Sequence, residues 1–511
     1  MTSQPLFSPR LFRASAALSM LLLAGCAVGP DFVKPDDRLA NARLSSGTDN
    51  ASLHELLAVN VPVQWWTLFN DPILTDLQDR AQVDNLGLKI ASERIEQSRA
   101  QLGIASSQLH PSVGASASYS RNALSEHGRF AALGAPTNAN DFWQLGFDAS
   151  WEIDLWGRAR RAREGAAAAF EATVYDREAA QVALSAEVAR VYLQLRGTQA
   201  QLDITRQNQS VAERTLELTE SREGNGVATR FEVSSSRAQV ATIKAMIPEL
   251  IQRRNTLMNA LALLLGEEPR ALDTQLLETM PLPSLPTRVP VGVPSELAHR
   301  RPDIQRAEAQ LHAATAAIGV AKADFYPRVG LRGRVGVEAF EADELDSWDS
   351  RFFSVGPTVY LPIFQGGRLK QRLALNEARQ KTAALSYRQT VLKAWHEVDN
   401  ALDAWASQHN IHGNLFVSYE ESKQALHAAE RRYQEGAADY LRVLSAQRNV
   451  LASESRLNTS ATNATLVLVN LYKSLGGGWS PDAFDTALQA SVDSQPAVAV
   501  SSVVSPLKVA Q

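Results

Sequence analysis

The chain has one cysteine, Cys26, among 511 residues. No internal disulfide can form, so the thiol is left either buried or modified. After the first 25 residues there is no run of eighteen apolar residues, and the best stretch, LMNALALLLG at 257 to 266, is too short to cross a bilayer as a helix. There is no P-loop, no Rossmann glycine triplet and no G-x-S-x-G elbow, and LGGGW at 475 to 479 has no following Lys or Ser to hold a phosphate. His409 and His412 stand one turn apart with His396 further back, but no third ligand sits at a suitable spacing, so these read as solvated helix histidines. A net charge of −4 with 21% charged residues gives no footprint for nucleic acid. Enzyme chemistry, a cofactor and a metal are therefore not expected. If the mature chain enters a bilayer, it does so as strands.

At the N-terminus, Arg10 and Arg13 precede a mostly apolar stretch, 14 to 25. Basic flank and short apolar run read as a secretory signal over residues 1–25. Leu23-Ala24-Gly25-Cys26 resembles the lipobox of bacterial lipoproteins, in which the cysteine is acylated and becomes the new N-terminus. An inert buried cysteine, or cleavage by ordinary signal peptidase, is the alternative. Acyl chains on Cys26 would anchor the protein by burying methylenes in a leaflet. Ala at 27 rather than Asp favours, by the same resemblance, passage to the outer membrane. Residues 26–71 then form an acylated linker.

The rest of the chain is an internal repeat. FWQLGFDASWEIDLWGR at 142 to 158 aligns with FFSVGPTVYLPIFQGGR at 352 to 368, an offset of 210 residues. The same offset pairs Glu187-Val188 with Glu397-Val398, Gly226 with Gly436, Val233 with Val443, and Leu265-Gly266 with Leu475-Gly476. QLHPSVG at 108 to 114 matches DFYPRVG at 324 to 330 at an offset of 216, so one loop differs by six residues. Repeat 1 (72–280) and repeat 2 (295–479) are joined by a proline-rich connection, 281–294, and followed by a Ser-, Val- and Ala-rich tail, 480–511.

Each repeat carries two windows of period-two alternation, expected as strands at about 112–122 and 141–155, and at about 328–340 and 351–364. Trp143, Leu145, Phe147, Ala149, Trp151 and Ile153 alternate with Gln144, Gly146, Asp148, Ser150, Glu152 and Asp154. Phe353, Val355, Val359, Leu361 and Ile363 repeat the pattern more loosely. A lipid-facing barrel strand needs this alternation, with Trp143, Phe147, Trp151 and Val355 outward; a soluble half-buried sheet would show it too. The leader favours the barrel. Four strands cannot close one, and an open edge is not tolerated in lipid, so the chain must oligomerise. Eight strands would fill their interior with side chains and leave Asp148, Glu152, Arg332 and Arg334 unsolvated, whereas twelve enclose water. A homotrimer is the smallest fit.

Residues 157–224 and 367–435 contain no proline and are rich in Ala, Glu, Gln and Arg, so both are expected as helices of roughly 100 Å. Return helices are expected at 227–265 and 437–475. Val188, Val191, Leu195, Leu202 and Leu216 keep heptad spacing, broken by Thr198, Thr205 and Gln209, and Ile243, Ile247, Leu250, Leu257, Leu261 and Leu264 form a second seam. Pro248 is expected to kink its helix; its repeat counterpart is Asn458. Shorter helices are expected at about 72–109 and 295–324. Gly224, Asn225, Gly226 and Gly436 mark the two reversals.

CAVGPDFVKPD at 26 to 36, WWTLFNDPILTDL at 65 to 77, VGVPSELAHRRPDIQRAEAQL at 291 to 311 and YKSLGGGW at 472 to 479 together resemble the TolC-like outer membrane factors, most closely the NodT-type lipoproteins of resistance-nodulation-division (RND) efflux systems. The resemblance implies a mixed α and β membrane protein: a homotrimer whose twelve-stranded β-barrel continues into a twelve-helix periplasmic α-barrel. It implies a passive duct in the outer membrane lipid, docked by a periplasmic adaptor (membrane fusion protein) and an inner-membrane pump. Pumps of the ABC or major-facilitator kind and type I secretion remain alternatives, as does a scaffold without transport. It places adaptor docking on the tips at Gly224, Asn225, Gly226 and Gly436, and the periplasmic gate on the second turn. There Leu441 would form an apolar ring. Ser445 stands where the family has a carboxylate, while Arg448 is retained. The usual acid-to-arginine link is therefore missing, and closure is expected to rest on Leu441, Asp439, Arg442 and Tyr433.

Overall fold

A computed structural model describes residues 27–35, 56–57, 61–286, 289–291 and 300–480. The expectations for Cys26, for the signal and for the tail beyond Ser480 lie outside the described residues. In chain order the elements are β1 (Leu56–Leu57), α1 (Pro72–Asp84), α2 (Leu86–Ser107), β2 (Ser112–Asn122), β3 (Asn140–Ile153), α3 (Arg158–Gly224), α4 (Arg230–Leu264), α5 (Asp273–Leu276), β4 (Val289–Pro290), α6 (Pro302–Ala323), β5 (Arg328–Ala339), β6 (Arg351–Tyr360), α7 (Arg368–Gln434) and α8 (Tyr440–Ser474). The 210-residue repeat is visible in the lengths: α3 and α7 each have 67 residues, α4 and α8 each 35. The chain divides into two compact units. One is built on Lys89–Arg177 and Asp303–Leu392, the other on Glu178–Pro302 and Lys393 onward.

The first unit holds an antiparallel sheet ordered β2-β3-β5-β6. Its register keeps parity across all four strands. Ala115 lies opposite Phe147, Phe147 opposite Val335, and Val335 opposite Phe353; Ala149 lies opposite Gly333 and Gly333 opposite Val355. Directly paired residues project to one side, so a single face collects Val113, Tyr119, Trp143, Leu145, Trp151, Leu331 and Val359 as well. The other face collects Ser116, Ser118, Gln144, Asp148, Glu152, Arg332, Arg334 and Glu338. A one-residue slip would exchange the two sets.

The second unit is cored by Trp65, Trp66, Phe69, Leu74, Tyr192, Leu195, Leu261, Trp405 and Tyr472, all buried. Asp71 organises one side of it. Its carboxylate caps α1 by accepting the Ile73 and Leu74 amides at 2.9 and 3.0 Å, and its other oxygen accepts the Tyr192 hydroxyl at 2.6 Å. Pro72 at the first helical position needs no amide partner. Tyr192 in turn accepts from the fully buried Arg196 at 3.1 Å, and Arg196 also donates to the Glu278 carbonyl at 3.0 Å.

Several expectations are corrected. The helix expected over 72–109 is two helices, because Asn85 leaves helical geometry, caps α2 by accepting the Leu88 amide at 2.9 Å, and donates its side-chain amide to the Leu264 carbonyl at 2.8 Å. The return helices begin at Arg230 and Tyr440, three residues later than expected, since Thr229 and Asp439 are taken as caps. The final strand stops at Tyr360, just before Pro362. The proline-rich connection contributes β4, which pairs in parallel with β1. Helix α4 carries Pro248 inside one continuous helix, which is compatible with the kink expected there.

Candidate functional site

Two reversals of chain direction define one candidate site. In each, a glycine with positive φ, Gly226 at 74° and Gly436 at 72°, ends the long helix. The following amide, of Val227 or Ala437, donates back to the carbonyl of Arg222 or Arg432 at 2.8 Å. Gly224, Asn225, Gly226 and Gly436 are all exposed, and Asn225 donates its side-chain amide to the Ser221 carbonyl at 2.8 Å. The first reversal enters α4 through a capping box between Thr229 and Glu232. In the second, the Asp439 carboxylate accepts the Arg442 amide at 3.1 Å, and Arg442 occupies the place of Glu232. Asp439, one of the residues expected at the gate, also caps the helix that starts there.

Each helical hairpin is held by apolar packing near its tip. Ala212, Val240 and Ile243 cluster with Leu216 between α3 and α4, and Tyr440, Val443 and Leu444 cluster with Leu426 and Ala429 between α7 and α8. Leu451 of α8 packs against the first of these clusters, and the hairpins meet further through polar and aromatic groups. The Arg222 guanidinium lies 4.5 Å from the Tyr433 ring centre, and Tyr433 packs at 5.6 Å against Tyr440. Buried Ser236 donates to the Tyr440 hydroxyl at 3.0 Å, and Arg448 donates to Gln239 at 2.7 Å. Burial pushes the Tyr433 phenol above its ordinary value while the Arg222 charge pulls it down, so the ring stays neutral beneath the cation. A cavity of about 240 Å³ lies here, lined by Thr215, Arg222, Tyr433, Tyr440 and Gln447 among others. Leu441, Arg442 and Ser445 are exposed on the start of α8. Sequence reasoning named Tyr433 and Arg448 but missed their partners Arg222 and Gln239, as well as Ser236 and Tyr440. The only local hint is the seven-residue spacing of the two tyrosines.

The sheet forms a second candidate site. Trp143, Phe147, Trp151 and Val355 share the apolar face, where Phe147 is 59% and Val355 70% exposed within one chain. Opposite them, Asp148 pairs with Arg334 at 3.0 Å, Gln144 donates to Glu338 at 3.0 Å, and Ser116 donates to Asp148 at 3.1 Å. Cys26 itself lies outside the described residues. The segment directly after it is pinned: the Val28 amide donates to the Trp156 carbonyl at 3.0 Å, Asp31 pairs with buried Arg161 at 2.5 Å, and Phe32 stacks on His312 at 4.4 Å. Among the described residues, no group of three or more His, Cys, Asp or Glu side chains could hold a metal, and no helix is long and apolar enough to cross a membrane.

This geometry has close parallels among known proteins. The family model described as outer membrane efflux protein matches residues 77–267 and 293–477. The chain is 32% identical over 471 residues to outer membrane protein OprJ of Pseudomonas aeruginosa, covering 92% of this chain and 96% of OprJ. It is 30% identical to the solvent efflux pump outer membrane protein SrpC of Pseudomonas putida, covering 92% and 99%. The solved structure of the outer-membrane channel OprN superposes with a TM-score of 0.83 at 33% identity, covering 89% of this chain and all (100%) of that one. With the two-sided sheet, the paired helical hairpins and these matches in hand, the chain belongs to the outer membrane efflux protein family and is an outer-membrane efflux channel.

Proposed function

We propose that the protein is the outer-membrane duct of a tripartite efflux pump, working as a passive conduit for drugs or other small toxic compounds. The observation that carries this is the parity of the sheet, with one largely apolar face, charged only near the strand ends at Arg121, Asp141 and Arg351, against a face of serines, amides and ion pairs that also holds Phe142 and Phe352. Hydrocarbon on one side and water on the other require that division. Strands β2 and β6 are the free edges of the sheet, and in lipid those edges must be closed by other copies of the chain. Three copies give twelve strands around a water-filled lumen, and their six hairpin tips then ring the periplasmic mouth. Loops 121–140 and 340–350 face the cell exterior.

In the resting state the mouth closes on Leu441, with Tyr433, Arg442 and Arg448 holding the tips and Ser445 lining the turn. A periplasmic adaptor docks around Gly224, Asn225, Gly226 and Gly436. It opens the mouth by binding the open state better than the closed one. Acyl chains on Cys26 add a second anchor in the outer membrane. The inner-membrane partner is an RND pump. Crosslinking in cells, copurification and mass spectrometry test the reading: an adaptor together with an RND pump is the expected result. An ABC or major-facilitator pump would reassign the partner, and recovery of no inner-membrane transporter would contradict the tripartite assignment.

A further inference from the structure

At the end of the sheet nearest the loops, the polar face carries aromatic residues that its parity does not call for. The apolar face already has its aromatic pair at this level, Tyr119 and Trp143, with ring centres 4.4 Å apart. Across the sheet, three phenylalanines stand among serines, amides and charges. Phe142 lies near the start of β3, and Phe340 directly follows β5 with its ring centre 5.8 Å from that of Phe142. That contact puts both rings on the polar face. Phe352 of β6 lies opposite Gly336, where an added Cβ would stand 3.0 Å from the Phe352 ring, so the ring rests against bare backbone. Phe340 is 63% exposed, and Phe142 and Phe352 are half-buried.

Between these rings stands Glu338, two residues from Phe340 and two from Gly336, hence roughly 7 Å along the strand from each. Its charge is not neutralised. Asp148 pairs with Arg334 at 3.0 Å and Glu152 with Arg158 at 2.9 Å, whereas Glu338 accepts the Gln144 side-chain amide at 3.0 Å and forms no ion pair among the described residues. Arg334, whose guanidinium lies 5.4 Å from the Phe352 ring centre, is committed to Asp148. We propose that Glu338, Phe142, Phe340 and Phe352 form a binding subsite for an organic cation with apolar substituents, a quaternary ammonium or phosphonium. Ring faces attract such a cation and cover its apolar arms, while the carboxylate supplies the opposite charge. A strongly hydrated metal ion has nothing to gain from the rings. The adjoining loop, 341–350, holds five acidic residues and no basic one, which raises the local concentration of cations. This inference rests on the polar face being the lumen wall of the duct, and a trimer would carry three such subsites near its outer mouth.

The test is equilibrium dialysis of radiolabelled tetraphenylphosphonium against the full-length protein in lipid nanodiscs, with binding to empty nanodiscs subtracted. Wild type should bind it saturably; benzyltriethylammonium should compete and benzenesulfonate should not. Glu338→Gln, which removes the charge at nearly constant volume, should weaken binding at least fivefold, and Phe340→Ala at least threefold. If Phe340→Ala does not assemble, Phe340→Leu keeps the bulk, loses the ring and carries the result. No saturable binding, unchanged affinity in either variant, or equal competition by benzenesulfonate overturns the subsite. Because binding is read without a current, bilayer conductance separates the two readings. A protein that conducts but does not bind keeps the duct and loses the subsite, and one that binds but never conducts keeps the subsite and loses the duct.

Discussion

The guanidinium of Arg222 at the end of α3 lies 4.5 Å from the ring centre of Tyr433 at the end of α7, and so ties one hairpin tip to the other. A cation over an aromatic face at a partly exposed site contributes about 0.5–1 kcal/mol. Arg222→Ala should therefore shift the closed-to-open ratio by about two- to fivefold per protomer, read as open probability in single-channel records. Arg222→Lys should retain part of the effect. Wild-type open probability in Arg222→Ala would remove this contact from the gate.

On the sheet, Phe147 and Asp148 are adjacent in sequence and belong to opposite faces. Phe147→Arg should cost about 2 to 4 kcal/mol if the position lies near the bilayer midplane. Asp148→Asn should leave stability nearly unchanged and alter the cation-to-anion permeability ratio, because it removes the partner of Arg334. Urea unfolding in vesicles and reversal potentials measure the two effects. Equal tolerance at both positions would contradict the assignment of faces.

The Tyr192 phenol is pushed well above its ordinary range, first by burial and then by its hydrogen bond to the Asp71 carboxylate. The folded form therefore holds its proton more tightly than the unfolded chain, whose tyrosines titrate near about 10. Stability from this group is complete below that pH and is lost as pH rises above it. Tyr192→Phe should lower stability at neutral pH by about 1 kcal/mol and flatten part of the alkaline decline in melting temperature. An alkaline limb identical to wild type would show that Tyr192 does not contribute to it.

Cys26→Ser should abolish labelling by a radioactive fatty acid and leave an unprocessed precursor, while trimers still assemble because the barrel holds the protein in the membrane. Persistent labelling would place the lipid elsewhere.

Features carried by local periodicity could be read directly from the residues. Alternation from Trp143 to Ile153 needs only the period of a strand, and the 210-residue offset that ties Gly226 to Gly436 needs only comparison of the chain with itself. Asn85 escaped notice because an asparagine among helix formers looks like a tolerated interior residue; its side-chain bonds to Leu88 and Leu264 decide the break. The short pairing of Leu56–Leu57 with Val289–Pro290 joins segments too brief to show a period. At the tips, Arg448 is named through family likeness and Tyr433 as a substitute for the missing acid-to-arginine link. Arg222 and Gln239 are not named, because a contact across some 210 residues leaves no local signature.

The most direct test of the duct is the resting conductance of the purified trimer in a planar bilayer, compared with that of the double variant Leu441→Ala, Arg442→Ala. A gated efflux channel should rest nearly closed, and the double variant should conduct several-fold more. A wild-type trimer that stays fully open would be a porin, and one that passes no current in either form would be a scaffold; either result would contradict the account.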